Sequence, residues 1–312
     1  MCRAPAALAM FVLVLGACNG DDNAERSEPT ATPAPTIATT TNAPTTTRPP
    51  PATTTTTVVA GPADVAVPIS AAAAAEVLTR VETELRSDTR DESQLAHTAW
   101  EQDLAYAALR AHPEWLPDIF AQVPESVRPV VAANADARAQ ISELNQPQPN
   151  LPAWNIRPPL PRDELLGYYG EAEAASGVPW PYLAGIHLIE TRLGRIVGTS
   201  TAGAQGPMQF MPPSWEAFGE GGDVSNDRDA ILAAGRYLEA AGAPDDMPGA
   251  LFSYNHSDRY VAAVTAYAQT IMADPRAYDG YYNWQVHYAT TDGTYLLPQG
   301  YTNGSGAVPL AL

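Results

Sequence analysis

The chain has 312 residues, with 17 basic against 35 acidic side chains, a formal net charge of −18 and two cysteines. That length permits two domains, and the acidic balance argues against a nucleic-acid backbone as partner. Both cysteines, Cys2 and Cys18, stand near the start, so the rest of the chain can hold no disulfide and no thiolate metal site.

Residues 1–17 read as an export signal. Arg3 supplies the positive start, and the apolar run "APAALAMFVLVLG" is too short to span a membrane as a mature helix. The run ends in "LGAC", Leu15 to Cys18, which resembles the lipobox of bacterial lipoproteins. That resemblance implies cleavage before Cys18, a diacylglyceryl group on its thiol, and an extracytoplasmic protein anchored to the membrane. Ordinary signal cleavage beside an incidental cysteine is the plainer alternative. Residues 18–68 are dominated by Thr and Pro and show no apolar periodicity. Such a segment buries too little to offset its chain entropy, and a disordered tether is expected. At about 3.1 Å per residue it would hold a domain up to roughly 100 Å or more from the membrane.

Folded sequence is expected from Ile69. Val77, Val81 and Leu85 mark one helix; a second spans about 93–111 and stops at Pro113; a third carries Val130, Ala133, Ala137, Ile141 and Leu144. Residues 145–161 read as an irregular connector. This region, 69–161, shows no chemical constellation and reads as a packing or wall-contact module. The next region, 162–274, predicts helices over Asp163–Ser176, Pro181–Leu193, Asp227–Ala241 and Ser257–Met272. The stripes Ile231/Ala234/Leu238 and Tyr260/Val264/Tyr267/Ile271 read as core. An extension, 275–312, contains "YDGYYNWQVHYATTDGTYLLPQGY", which is aromatic and β-prone, and predicts a small hairpin turning at "TTDG".

Within the second of the four later helices, Leu183, Ile186, Glu190 and Leu193 are spaced 3, 4, 3, placing Glu190 on the apolar stripe. Its helical neighbours would be Ile186, His187, Leu193 and Gly194, leaving no local cation beyond His187. A half-buried carboxylate without a cation is desolvated and its pKa rises, which suits an acid that gives a proton near neutral pH and takes it back. A structural glutamate paired with a distant Arg is the plainer alternative. Other chemistries fail on spacing. Gly198 to Gly203 lacks the Gly-Lys of a phosphate loop, "GAQG" lacks the third glycine of a dinucleotide fingerprint, and His187 and Glu190 form no HExxH. No metal site and no cofactor are expected.

"STAGAQGPMQFMPPSW", Ser200 to Trp215, follows Glu190 by ten residues, and "ALFSYNHSDRYVAAV" follows at Ala250. Glycines let backbone approach a bound chain closely, while Gln209, Tyr254 and Asn255 supply donors, acceptors and a flat face. Glu190-Thr, then this Gly-rich motif, then Tyr254-Asn255, resembles the soluble lytic transglycosylase (SLT) domain. The resemblance covers roughly residues 163–272. It implies a mainly α, lysozyme-like fold of goose type preceded by a helical region. It also implies action on peptidoglycan glycan strands as a monomer. Glu190 is implied as the acid/base, Ser200, Met208 and Gln209 as substrate contacts, and Tyr254 and Asn255 as cleft wall. Thr191 stands where the family usually has Ser. One residue more than in some members separates Glu190 from Ser200.

The implied chemistry explains a lone carboxylate. Ordinary glycosidases need a second one, whereas a lytic transglycosylase uses the muramic acid's own C6 hydroxyl, whose effective concentration is high. Two other readings compete: a hydrolytic muramidase using Asp223, Asp227 or Asp258 to activate water, and a non-catalytic wall-binding lipoprotein.

Overall fold

The computed structural model describes residues 65–312. The signal segment, Cys18 and the tether as far as residue 64 lie outside them. The described chain is mainly α, with small antiparallel sheets concentrated towards its end, consistent with a lysozyme-like SLT fold.

Helix α1 (Ala71–Leu85) buries Leu78, Val81 and Leu85 on one face, and Ser70 caps it by accepting from the Ala73 N–H at 3.2 Å. Helix α2 (Leu95–Ala111) stops before Pro113, as the sequence predicts, but the chain re-enters helix at once. A 3-10 turn, Pro113–Trp115, runs into α3 (Leu116–Gln122), and α4 (Arg128–Leu144) follows. Each of these three starts with Pro in its first turn, where the missing N–H would have had no partner anyway. Proline there opens a helix as readily as it closes one.

The later helices are α5 (Arg162–Ser176), α6 (Trp180–Thr191), α7 (Pro212–Phe218), α8 (Asp227–Ala240), α9 (Met247–Tyr254), α10 (Asp258–Ala273) and α11 (Ala277–Asn283). Those predicted from periodicity agree to within two residues. The seven- and eight-residue α7, α9 and α11 were not predicted, being too short to print a 3.6-residue stripe. The "AYDGYYN" segment is a helix rather than the expected strand, because Tyr278 and Tyr281, three apart, both enter the core.

Strands β1 (Asn155–Ile156) and β2 (Ile196–Val197) pair antiparallel and tie the connector to the chain just past α6. Strands β3 (Val286–Thr290) and β4 (Gly293–Leu297) form the predicted hairpin. Its register opposes Thr290 to Gly293 and leaves Thr291-Asp292 as the turn. A third strand, β5 (Val308–Leu310), extends it.

One apolar cluster includes Leu78, Tyr106, Val131, Leu165, Ile186, Leu238, Val264 and Trp284, so helices before and after residue 162 share a core. Helix α4 lies against α10, and α10 against α6. The α6–α10 crossing is close: a Cβ on Gly185 would sit 3.2 Å from the Val264 carbonyl oxygen. Glycine lets the two backbones approach and so brings the end of α6 against α10. Among the described residues no helix is long and apolar enough to cross a membrane.

Candidate active site

Glu190 occupies the last turn of α6 and is 6% exposed. Its Oε1 accepts a 2.7 Å hydrogen bond from the Tyr260 hydroxyl on α10, while Oε2 is buried with no hydrogen-bond partner. Among the described residues no arginine or histidine nitrogen lies within 4 Å of the carboxyl. Burial therefore pushes its pKa up to about 7, although the Tyr260 hydrogen bond pulls in the other direction. A carboxyl in that state is divided between acid and base near neutrality.

The local neighbours differ from a continued helix. α6 ends at Thr191, and Arg192 and Leu193 turn left-handed, with φ of 53° and 58°. Leu193 and Gly194 are thus not stacked one turn below the carboxyl. His187 does not serve Glu190 either. Its Nδ1 lies 2.8 Å from the Tyr169 hydroxyl, and burial pulls its pKa down to about 3, so it is neutral.

The Gly-rich segment is fastened to this helix end. Thr191 Oγ1 donates to the Pro207 carbonyl at 2.6 Å and accepts from the Gly194 N–H at 3.1 Å. Gln205 and Phe210 exchange both main-chain hydrogen bonds, at 2.9 and 2.8 Å, which closes residues 206–209 into a tight turn. Gly206 has φ 73°, and a Cβ there would fall 1.8 Å from the Val224 carbonyl oxygen. No other residue fits that position without moving the loop.

The motif residues fall into two sets. Tyr254 donates to the Met208 carbonyl at 2.7 Å and stacks on Tyr260, with ring centroids 6.4 Å apart. The carboxyl, the two tyrosines and the loop are thereby joined in one chain of contacts. Met208 is completely buried, main chain included, and its carbonyl is engaged by Tyr254, so it supports the loop from within. Gln209, held at φ 50°, donates Nε2 to the Gly206 carbonyl at 2.9 Å. Ser200 and Asn255 make no hydrogen bond to Glu190. Ser200 Oγ accepts from the Ala204 N–H at 2.9 Å and folds the loop. Asn255 caps α9 and keeps Oδ1 buried without a partner.

The three aspartates have other engagements. Asp227 Oδ2 accepts from Arg157 at 2.7 Å, and its Oδ1 lies 3.7 Å from His187. Asp223 accepts from the N–H and hydroxyl of Ser225, at 2.8 and 2.7 Å. Asp258 is exposed in the first turn of α10. Asn226, rather than Asp223 or Asp227, caps α8. Sequence reading missed Tyr260, whose place on an apolar stripe reads as core. The available signal was its hydroxyl, which needs a partner once buried.

Among curated proteins, the chain is 27% identical over 163 residues to the membrane-bound lytic murein transglycosylase F of Thiobacillus denitrificans, covering 50% of this chain and 34% of that one. The chain thus spans about a third of the length of the curated relative it matches. No family profile matches the chain, and no solved structure matches it significantly.

Proposed function

We propose that the chain is a peptidoglycan lytic transglycosylase with an SLT-type catalytic domain. On this reading it is a lipoprotein held at the membrane by Cys18 and reaching the wall through its Thr/Pro tether. It cuts the β-1,4 bond between N-acetylmuramic acid and N-acetylglucosamine and leaves a 1,6-anhydro end. The observation that carries this reading is the Glu190 carboxyl: buried, without a cation, near pKa 7, with Oε1 held by Tyr260 and Oε2 free. The similarity to a lytic murein transglycosylase supports it.

The steps follow from that carboxyl. Protonated Oε2 gives its proton to the glycosidic oxygen as the bond from C1 breaks, and the leaving sugar departs as an alcohol. The resulting carboxylate, steadied by the Tyr260 O–H, takes the proton of the muramic C6 hydroxyl as O6 bonds to C1. Glu190 is then protonated again, no water is consumed, and no second carboxylate is required. Gln209 borders the bound strand from the loop, Tyr254 and Asn255 from the wall, while Ser200 and the buried Met208 shape the loop between. Glu190→Gln keeps the shape and removes the transferable proton. Turnover of purified wall glycan should fall by at least about a thousandfold, within the 10²–10⁴ range usual for an acid–base group, and by more if both proton transfers fail. A Gln variant with wild-type rates would refute the assignment.

A muramidase on the same site is less well supported, because Asp227 is engaged by Arg157 and Asp223 by Ser225.

A further inference from the structure

A pocket opens beside Glu190, bounded by α2, α4, the chain just past α6, and β3 and β4. Its lining includes Glu190, Arg110, Arg138, Arg192, Trp154 and Tyr288. Three arginines converge there in a chain whose net charge is −18.

Their charge is incompletely met. Arg192 makes no hydrogen bond or ion pair through its guanidinium among the described residues; its Cζ lies 5.8 Å from the Trp284 ring, and it shares the charge of Asp103 with Arg138. Among the described residues Arg110 reaches only neutral hydroxyls, Thr294 at 3.1 Å and Ser142 at 3.5 Å. Arg138 pairs with Asp103, but its side chain is 9% exposed and its Nε is buried with no partner. Asp103 is shared with the Gln285 N–H at 2.8 Å and stands 3.5 Å from His287. Burial pulls His287 down to about 4, so it adds no charge near neutrality. Burial lowers Arg110 and Arg192; Asp103 offsets part of this at Arg192, and the nearby Arg138 adds to it at both.

A neutral sugar needs no such pocket. Guanidinium groups in a walled site select carboxylates, which they bind by paired, charge-assisted hydrogen bonds. If Glu190 protonates a glycosidic oxygen of peptidoglycan, the nearest carboxylates in the substrate belong to the peptide on the muramic lactyl group, one sugar ring from the cut. We propose that this pocket seats the acidic stem peptide of the glycan strand, with Arg192 and Arg110 as its carboxylate ligands. The enzyme would then prefer peptide-bearing to naked glycan. The proposal rests on the transglycosylase reading, and it gives the helical region before residue 162 a part in recognition, through Arg110 and Arg138.

The test uses the full chain carrying Glu190→Gln, so that no cleavage intervenes. Calorimetric titration compares the disaccharide–tetrapeptide with the same disaccharide lacking peptide, its lactyl carboxyl capped as the methylamide. The peptide should tighten binding at least tenfold. Adding Arg192→Gln, or separately Arg110→Gln, should remove most of that advantage while circular dichroism stays unchanged. Equal affinity for the two ligands overturns the proposal. So does an advantage that survives both arginine changes, or inorganic phosphate bound as tightly as the peptide-bearing ligand. Wild-type cleavage of purified wall glycan is measured in parallel. Cleavage without a peptide advantage defeats the pocket assignment alone. A peptide advantage without cleavage supports the pocket and defeats the transglycosylase reading.

Discussion

The Tyr260 hydroxyl donates to Oε1 of Glu190 at 2.7 Å, across a helix crossing made close by Gly185. Among the described residues it is the carboxyl's one hydrogen bond, and it divides the labour between the two oxygens. Oε1 is held as an acceptor, so the acid proton belongs on Oε2, which has no partner among the described residues.

Tyr260→Phe removes that donor and so withdraws stabilisation from the ionised carboxyl. A hydrogen bond to a charged group contributes about 1.5–3 kcal/mol, equivalent to roughly one to two pKa units. The alkaline limb of kcat, centred near pH 7 in the wild type, should move up by about one unit. Turnover at pH 6 should drop about tenfold as the carboxyl loses its fixed orientation. A limb that stays in place would show that the hydrogen bond does not tune the acid.

Stability should carry the same signature. The Glu190 pKa is raised from 4.5 in the unfolded chain to about 7 in the folded one. Between those values the folded state binds more protons, so the wild type loses stability as pH rises from 4.5 to 7, by about 3 kcal/mol in total. Glu190→Gln escapes that loss. The two proteins should melt together near pH 4.5, and the variant should melt about 6–12 °C higher by pH 8. A melting difference independent of pH would contradict the raised pKa.

The aspartates provide a third check. Asp227→Asn weakens the contact with Arg157 and should cost about 1–3 kcal/mol, since Asp227 is buried while the 39% exposed Arg157 side chain can turn to water. Below its lowered melting point this variant should still turn over glycan. Asp223→Asn and Asp258→Asn, on exposed side chains, should change stability by about 0.5 kcal/mol or less. Loss of turnover in any of the three, with the fold intact by circular dichroism, would assign that aspartate to catalysis.

The sequence made some of this visible and hid the rest for identifiable reasons. Helices of twelve or more residues were legible, α6 with Glu190 on its stripe among them, and so was the Thr291-Asp292 hairpin turn. Helices α3, α7 and α9 did not, because seven or eight residues opened by proline give too short a pattern. Glu190 was legible because a carboxylate on an apolar stripe violates local expectation. Tyr260 was not, since a tyrosine on such a stripe satisfies it. The arginine pocket was invisible for another reason. Arg110, Arg138 and Arg192 come from three separate segments, and only the packing of α4 on α10 and of β3 beside them brings the three together.

The central claim is that a single carboxylate works with a nucleophile carried by the substrate, and the reaction products test it directly. Purified wall glycan is digested in ¹⁸O-labelled water, and the released fragments are weighed by mass spectrometry. The muramic ends should be one water lighter than reducing ends, identified as 1,6-anhydro rings, with no ¹⁸O taken up. Reducing muramic ends carrying ¹⁸O would contradict it and identify the chain as a hydrolase.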